Sequence, residues 1–263
     1  MVELEGRAGQ YDDQPLRMFA EIGDLYNQGR FSVNLAYGLF YEGDWDRAVR
    51  FYRQSLELAE RIGDVFSVAV AQMNIAEVLA QQGAAAEAVE LLGESIATLR
   101  TLHTPLAQAH AECFLGDALR LTGDLSGAEA ALAASADSFQ RAGRTAGFPI
   151  DELTTRRLEL LADQHAAPAV VDLAGTLLGR GDPPAPLHRA RALRSLAVAR
   201  RALGDETAAL AALDDSITVA RELPLGYDAG LALLLRASWT GDAADRAEAH
   251  DLLTRLGADA LLA

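Results

Sequence analysis

Lysine is absent from this sequence, so all 23 of its basic residues are arginines. Without lysine, the chain has no Walker-type phosphate-binding lysine, no Schiff-base lysine and no lysine general base. Cys113 is the single cysteine, which excludes an intrachain disulfide and a cysteine-ligated zinc cluster. These absences remove several classes of enzyme and of structural metal site before any motif is considered.

Long apolar runs are lacking as well. The most apolar stretch, Leu231–Leu235, is far too short to span a membrane. Residues 1–5 show neither the basic region nor the apolar region of a signal peptide. We therefore expect a cytoplasmic protein with no membrane partner. The formal charge is −15, which argues against a nucleic-acid backbone as the main partner.

Patterns typical of catalysis or metal binding are also scarce. The five histidines are scattered, and no two of them have the spacing of a zinc-binding helix. Neighbouring carboxylates such as Asp214 and Asp215 point in different directions on a helix. Glycines occur singly at turns and form no phosphate-binding loop. We therefore expect no enzymatic activity, no metal and no cofactor.

What the sequence does contain is an internal repeat of about 40 residues. Gly-Asp turns recur along the chain, and an alanine follows each turn at a near-constant offset. The turns begin at Gly43, Gly123, Gly204 and Gly241, with Gly83 midway between the first two. The alanines are Ala48, Ala88, Ala128, Ala169, Ala209 and Ala247. This regular spacing predicts about six units.

Each unit has the pattern of two helices. In the first unit, residues 31–42 and 45–62 have apolar side chains at helical spacing. Gly43 is a natural left-handed C-terminal cap for the first helix, and Asp44 can cap the second. An alanine at a fixed position allows the two helices to cross closely. Residues 16–22 match the tail of a second helix whose partner is missing, so we expect an orphan helix at the N-terminus.

The first unit resembles a tetratricopeptide repeat. Residues 34–36, residues 43–49 and the side chains of Tyr52, Ser55 and Leu56 follow that family's pattern. The resemblance implies an all-α fold, a right-handed superhelical solenoid of antiparallel helix pairs. It also implies a concave groove that binds a protein or peptide ligand. Units of 40 residues exceed the usual 34 and resemble the C-terminal helical arrays of large bacterial signal-transduction ATPases, cyclases and transcriptional regulators.

The fourth unit departs from the pattern. It contains Pro149 and Pro168 and has no Gly-Asp turn near residue 165, so we expect irregular geometry there. The Pro-rich run at residues 181–186 is the clearest loop in the chain and a candidate hinge. We predict an N-terminal sub-array at 1–144, a degenerate repeat with its loop at 145–186, and a C-terminal sub-array at 187–263.

The family's groove positions transfer to the first helices of four units. The predicted partner-binding residues are Arg30, Tyr37, Tyr41, Met73, Glu77, Gln81, His110, Asp117, Arg120, Arg191, Arg194 and Arg201. The aromatic side chains of the first unit suit apolar groups of a partner. Packing against the neighbouring helix explains them equally well.

Charge is distributed unevenly over these units. Residues 62–119 hold seven acids and one arginine, whereas residues 188–201 hold five arginines and no acid. This predicts a groove with an acidic N-terminal half and a basic C-terminal end, whose arginines grip a carboxylate or an acidic segment. The alternative is that these arginines pair with acids on neighbouring helices or lie in solvent.

The sequence favours a non-enzymatic interaction module, the sensor or scaffold part of a bacterial signalling or transcription-regulatory system. One alternative is a regulatory domain that senses a small molecule or a signal peptide. An apolar pocket capped by Tyr37, Tyr41 and Met73 would favour small-molecule sensing. The other alternative is a scaffold that forms homo-oligomers.

Overall fold

The computed structural model describes residues 14–223 and 225–262. Residues 1–5, where a signal peptide was not expected, lie outside the described part. Within those ranges the chain contains thirteen α-helices and a final 3-10 turn, with no strand. The helices are α1 (Gln14–Glu21), α2 (Leu25–Tyr41), α3 (Trp45–Ile62), α4 (Val65–Gln81), α5 (Ala85–Thr101), α6 (Pro105–Thr122), α7 (Leu125–Arg141), α8 (Phe148–Asp163), α9 (Ala167–Leu178), α10 (Pro186–Ala202), α11 (Glu206–Glu222), α12 (Gly226–Thr240) and α13 (Ala243–Arg255). The 3-10 turn spans Asp259–Leu262. No helix in these ranges is long and apolar enough to cross a membrane.

The helices from α2 onward form six consecutive pairs, which confirms the predicted all-α solenoid. Helix α1 packs on α2, with the rings of Phe19 and Phe31 6.4 Å apart. First helices of successive pairs contact one another, whereas second helices of successive pairs do not within the described residues. The first helices α2, α4, α6, α8, α10 and α12 therefore line the concave side. We call that side the inner face.

Helix ends follow the Gly-Asp turns. Gly43 adopts a left-handed conformation with φ of 80°, and the carboxylate of Asp44 accepts a hydrogen bond from the backbone amide of Arg47. The same aspartate cap recurs at the start of α2, α4, α7, α11 and α13. These caps satisfy amides that a helix leaves unbonded at its N-terminus. The predicted roles of Gly43 and Asp44 are confirmed.

The recurring alanine is fully buried in the first three units and in the fifth, as close helix crossing requires. Ala169 and Ala247 are exposed, so the 40-residue register was wrong in the fourth and sixth units. In α9 the equivalent fourth position of the helix is Val170, which is fully buried. In α13 the fully buried alanine is Ala249. Shifted turns in these two units account for the differences.

A serine joins the two helices of several units. Ser95 Oγ donates to the carbonyl of Ala69 at 2.8 Å, and Ser135 Oγ donates to that of Ala109 at 2.7 Å. Ser216 makes the corresponding bond to the carbonyl of Ala190. In each case the serine lies 26 residues after its acceptor. The position is therefore a second repeated device that holds each pair together.

The fourth unit is irregular, as predicted. Its second helix, α9, has only 12 residues, and a Pro-containing loop joins it to α10. A buried apolar cluster nevertheless runs through α8, α9 and α10, including Leu158, Val170 and Leu196. A hinge at this loop would have to disrupt that cluster. The division into two sub-arrays stays a prediction.

The two ends of the array contact each other. Leu253, Leu256 and Ala258 from the last unit belong to one buried cluster with Phe40 and Trp45 from the first. We call this contact the seam. It includes a hydrogen bond from Gln82 Nε2 to the carbonyl of Leu256 at 2.9 Å. At Gly83 the approach is so close that an added Cβ would clash with the Cβ of Ala260. The solenoid is therefore closed rather than open-ended.

Candidate functional site

The inner face carries a continuous set of charged side chains, which we call the charge network. Its members come from five first helices and are mostly buried. They are Glu77, Asp117, Arg120, Arg156, Glu159, Arg191, Arg194 and Asp228. Because buried charges are costly unless they are paired, their arrangement determines what the inner face can bind.

Arg156 on α8 is the centre of the network and is 3% exposed. Its Nη1 lies 2.6 Å from Asp117 Oδ2, and its Nη2 lies 3.6 Å from Glu77 Oε1. Asp117 also accepts from Arg120 Nη2 at 2.9 Å. One arginine of the fourth unit thus joins the acids of the second and third units.

Arg191 and Arg194 on α10 share the carboxylate of Asp228 on α12. Arg191 Nε donates to Asp228 Oδ1 at 3.0 Å, and Arg194 Nη1 donates to the same oxygen at 3.1 Å. Arg194 also donates through Nη2 to Glu159. The two arginines therefore make their ion pairs within the chain.

The predicted separation of charge along the groove was wrong. Arg156 neutralises the acidic units, and the acids Glu159 and Asp228 neutralise the basic helix. Pairing with acids on neighbouring helices, the alternative left open above, is what the structure shows for Arg191 and Arg194. The reason is that the fourth and sixth units supply the opposite charges.

The aromatic side chains of α2 divide between core and surface. Phe40 is buried and stacks on Trp45, with ring centroids 5.6 Å apart. Tyr37 is 44% exposed, and its hydroxyl donates to that of Tyr41 at 3.2 Å. Their rings meet edge to face with centroids 4.7 Å apart. Of these three aromatic residues, Tyr37 is therefore the one that a partner can reach.

The other predicted residues lie in varied surroundings. Arg30 lies over the ring of Tyr26, and Arg201 lies over Trp239 at 4.5 Å. His110 Nδ1 is 3.7 Å from Glu152 Oε2. These three side chains already have partners within the chain.

Two predicted groove residues are buried. Met73 packs in an apolar cluster with Leu92 and Phe114, so it does not cap a pocket with the tyrosines. Gln81 is 1% exposed and lies beside the seam. The small-molecule pocket considered above is therefore not formed by those three side chains.

Burial and charge shift several pKa values on the inner face. Burial, reinforced by the nearby Glu152, raises the pKa of Glu77 to about 8. Burial opposes ionisation of Asp117 as well, but Arg156 and Arg120 lower its pKa to about 2. At neutral pH, Asp117 is therefore the charged partner of Arg156, while Glu77 holds its proton. The thiol of Cys113 has its pKa raised by burial, which disfavours the reactive thiolate.

The network has more hydrogen-bonding capacity than the chain uses. Arg156 Nε and Nη2, Arg191 Nη1 and Glu159 Oε2 are buried without a hydrogen-bond partner among the described residues. The amide nitrogen of Gln81 and both ring nitrogens of His188 are in the same condition. Such groups are uncommon in native proteins, and each calls for an explanation.

Sequence comparison supports the resemblance noted above. Residues 27–101, which contain most of α2 and all of α3–α5, match the sequence profile of the tetratricopeptide repeat. The remaining units continue the same pairing of helices along the chain. This chain contains tetratricopeptide repeats. A search of curated proteins finds no significant match.

Solved structures share the tetratricopeptide-repeat solenoid. A Rap protein complexed with competence and sporulation factor aligns with a TM-score of 0.71 at 16% identity, over 94% of this chain and 71% of that one. The apo form of RapI aligns with a TM-score of 0.62 at 10% identity, over 94% and 68%. BtubC from P. vanneervenii gives 0.54 at 15% identity, over 80% and 83%. At these identities the likeness establishes the fold alone.

The tetratricopeptide-repeat pattern did not reveal every residue of the site. Arg156, Glu159 and Asp228 were missed because no groove positions were assigned to the fourth and sixth units. One signal was present, since Arg156 lies 39 residues after Asp117, close to the repeat length. The proline-containing start of α8 disguised that spacing. Among the described residues there is no group of three side chains suited to hold a metal ion.

Proposed function

We propose that this chain is a non-enzymatic interaction module that binds a segment of a protein or peptide partner on its inner face. The observation that carries the proposal is the ring of Tyr37, which is 44% exposed on the inner face beside the charge network. The ion pairs of that network hold the first helices in fixed positions beneath the proposed surface.

Tyr37 supplies the apolar part of the proposed surface. It is held by the edge-to-face contact with Tyr41 and remains exposed on the same side as the charge network. Tyrosine is enriched among the residues that dominate binding energy, because its ring buries a large area at low entropic cost. We expect a partner's apolar side chain to pack on Tyr37.

The structural comparison adds support. The Rap protein that shares this fold was crystallised with competence and sporulation factor, so an array of this kind binds another molecule in that case. We propose in addition that the module is the sensor or scaffold part of a bacterial signalling or transcription-regulatory system in the cytoplasm. The remaining predicted residues of the inner face, including Arg120, Arg191 and Arg194, would then shape the surface around the partner.

A peptide-library selection tests the proposed function. The full chain is used to enrich peptides, and the affinity of the best one is measured by isothermal titration calorimetry. Tyr37→Ala should weaken that peptide at least tenfold, because truncating a central tyrosine costs about 2 kcal/mol. Leu203→Ala, at a residue 56% exposed on the α10–α11 turn, is the matched control and should bind as wild type. Failure to enrich any peptide, or equal affinity for Tyr37→Ala, would contradict the proposal.

Charge reversal of Arg191 or Arg194 would not distinguish loss of partner binding from loss of folding. A glutamate at either position would face Asp228 and leave buried acids unpaired. Such a change costs roughly 3–5 kcal/mol and can unfold the chain whether or not a partner binds there.

A further inference from the structure

A small cavity lies where the closed array meets itself. We call it the seam pocket. It is lined by residues of the first, second, fifth and sixth units, and its volume is about 30 Å³. That is room for about two water-sized groups. Its walls combine apolar side chains such as Trp45 and Leu225 with a few polar groups.

Two of those polar groups are buried donors without a partner. Gln81 is 1% exposed and Arg191 is 3% exposed. Gln81 Nε2 and Arg191 Nη1 have no hydrogen-bond partner among the described residues. Both side chains line the seam pocket. Two unpaired donors from the second and fifth units, both in the lining of one cavity, fit a group that accepts hydrogen bonds.

The start of α12 faces the same cavity. Leu225, Gly226, Tyr227 and Asp228 line the pocket, and the N-terminus of α12 has no side-chain cap. The first turn of a helix presents free amides and the positive end of the helix dipole, both of which favour an anion. This helix has 15 residues, so its dipole is fully developed.

The charged groups around the pocket carry no excess of negative charge. Asp228 is the ionised acid of the lining, and it is shared by Arg191 and Arg194. The other acid of the lining, Glu77, has its pKa raised to about 8 by burial and by Glu152, so it is mostly uncharged at neutral pH. Arg194 also pairs with Glu159, so the two arginines are balanced by two acids, and the unpaired donors rather than net charge favour an anion.

We propose that the seam pocket binds a compact monovalent anion, such as chloride or the carboxylate of formate. Gln81 Nε2, Arg191 Nη1 and the first turn of α12 donate to the ion. Because the donors come from the second, fifth and sixth units, the ion is bound only when the array is closed. Anion binding therefore stabilises the seam. This proposal concerns a site apart from Tyr37 and does not depend on peptide binding.

Trp45 provides a local probe for the test. It lines the pocket, and the chain has only one other tryptophan, Trp239. In a Trp239→Phe background, sodium chloride and sodium formate are each titrated against sodium gluconate at constant ionic strength, since gluconate is too large for the cavity. A saturable change in Trp45 fluorescence, or a rise in thermal midpoint with chloride or formate but not gluconate, supports the proposal.

Adjacent glutamines give a matched pair of variants. Gln81→Leu removes a donor that has no hydrogen-bond partner among the described residues, so folding should be preserved. It should weaken anion affinity about tenfold, as expected for the loss of one hydrogen bond. Gln82→Leu removes the seam bond to Leu256 but none of the pocket's donors, so it should lower stability and reduce anion affinity less than Gln81→Leu does.

Comparing the responses to chloride and to formate identifies which kind of anion the pocket binds. A response to chloride alone indicates a halide site, and a response to formate alone indicates a small-carboxylate site. The proposal is overturned if neither anion changes fluorescence or thermal midpoint relative to gluconate. It is also overturned if Gln81→Leu binds the anion as tightly as wild type.

Discussion

Glu77 and His188 are buried groups whose titration changes stability in opposite directions. Burial raises the pKa of Glu77 from 4.5 to about 8, so the folded chain keeps a proton that the unfolded chain releases. The free energy of unfolding therefore falls as pH rises from about 4.5 to 8. Burial lowers the pKa of His188 from 6.5 to about 4, so stability is lost as pH falls through that interval.

Between pH 6.5 and 8.5 only Glu77 of this pair contributes a slope. We expect the urea midpoint of the wild type to fall over this range and that of Glu77→Gln to stay nearly constant, because glutamine does not titrate. Glu57→Gln, at an exposed position of α3, is the control and should keep the wild-type slope. A wild-type slope that survives in Glu77→Gln would show that another group is responsible.

At the scale of the helix, the backbone conformation of each turn limits which residues can follow the helix end. Glycine occupies the left-handed position after most helices, as at Gly43, Gly63 and Gly123. His103 and His165 take the same position with φ of 53° and 57°. Side chains other than glycine are strained in that conformation. These two histidines, which the sequence left without a role, therefore lie at strained helix ends.

Replacing one of these two histidines tests whether its left-handed conformation destabilises the fold. His103→Gly should raise the free energy of unfolding by about 1 kcal/mol, because His103 is exposed and glycine relieves the left-handed strain. Ala142→Gly, at a C-terminal cap with an ordinary φ of −79°, should instead lower it. Urea unfolding measures the free energy of unfolding of both variants. If His103→Gly leaves the free energy of unfolding unchanged or lowers it, His103 is not strained at this helix end.

For the molecule as a whole, the seam decides how the repeats act together. In an open solenoid each repeat contacts only its neighbours, so local opening at one end leaves the other end undisturbed. Here Leu256, 4% exposed, packs in a cluster that contains Phe40 and Trp45 of the first unit. Local unfolding at either end of the array therefore disrupts the packing of both ends.

Leu256→Ala measures this coupling. We expect a loss of about 2–5 kcal/mol, the usual cost of removing a buried leucine side chain. We also expect faster amide hydrogen exchange in α2 and in α13, with α6 and α7 unaffected. Leu203→Ala, which removes an exposed leucine outside the seam, should do neither. Faster exchange confined to α13 would mean that the two ends are not coupled.

Helix pairs, turns and caps could be predicted from the amino-acid sequence alone. Those features depend on contacts within about 40 residues, as Gly43, Asp44 and Ala48 show. Which charges meet on the inner face, and that the array closes at Leu256, became visible with the packing of the whole array. Both depend on small rotations between repeats that add up over six units, and no local pattern contains that sum. Arg191 was visible as a cation of the groove, but its pairing with Asp228 and its place in the seam pocket were not.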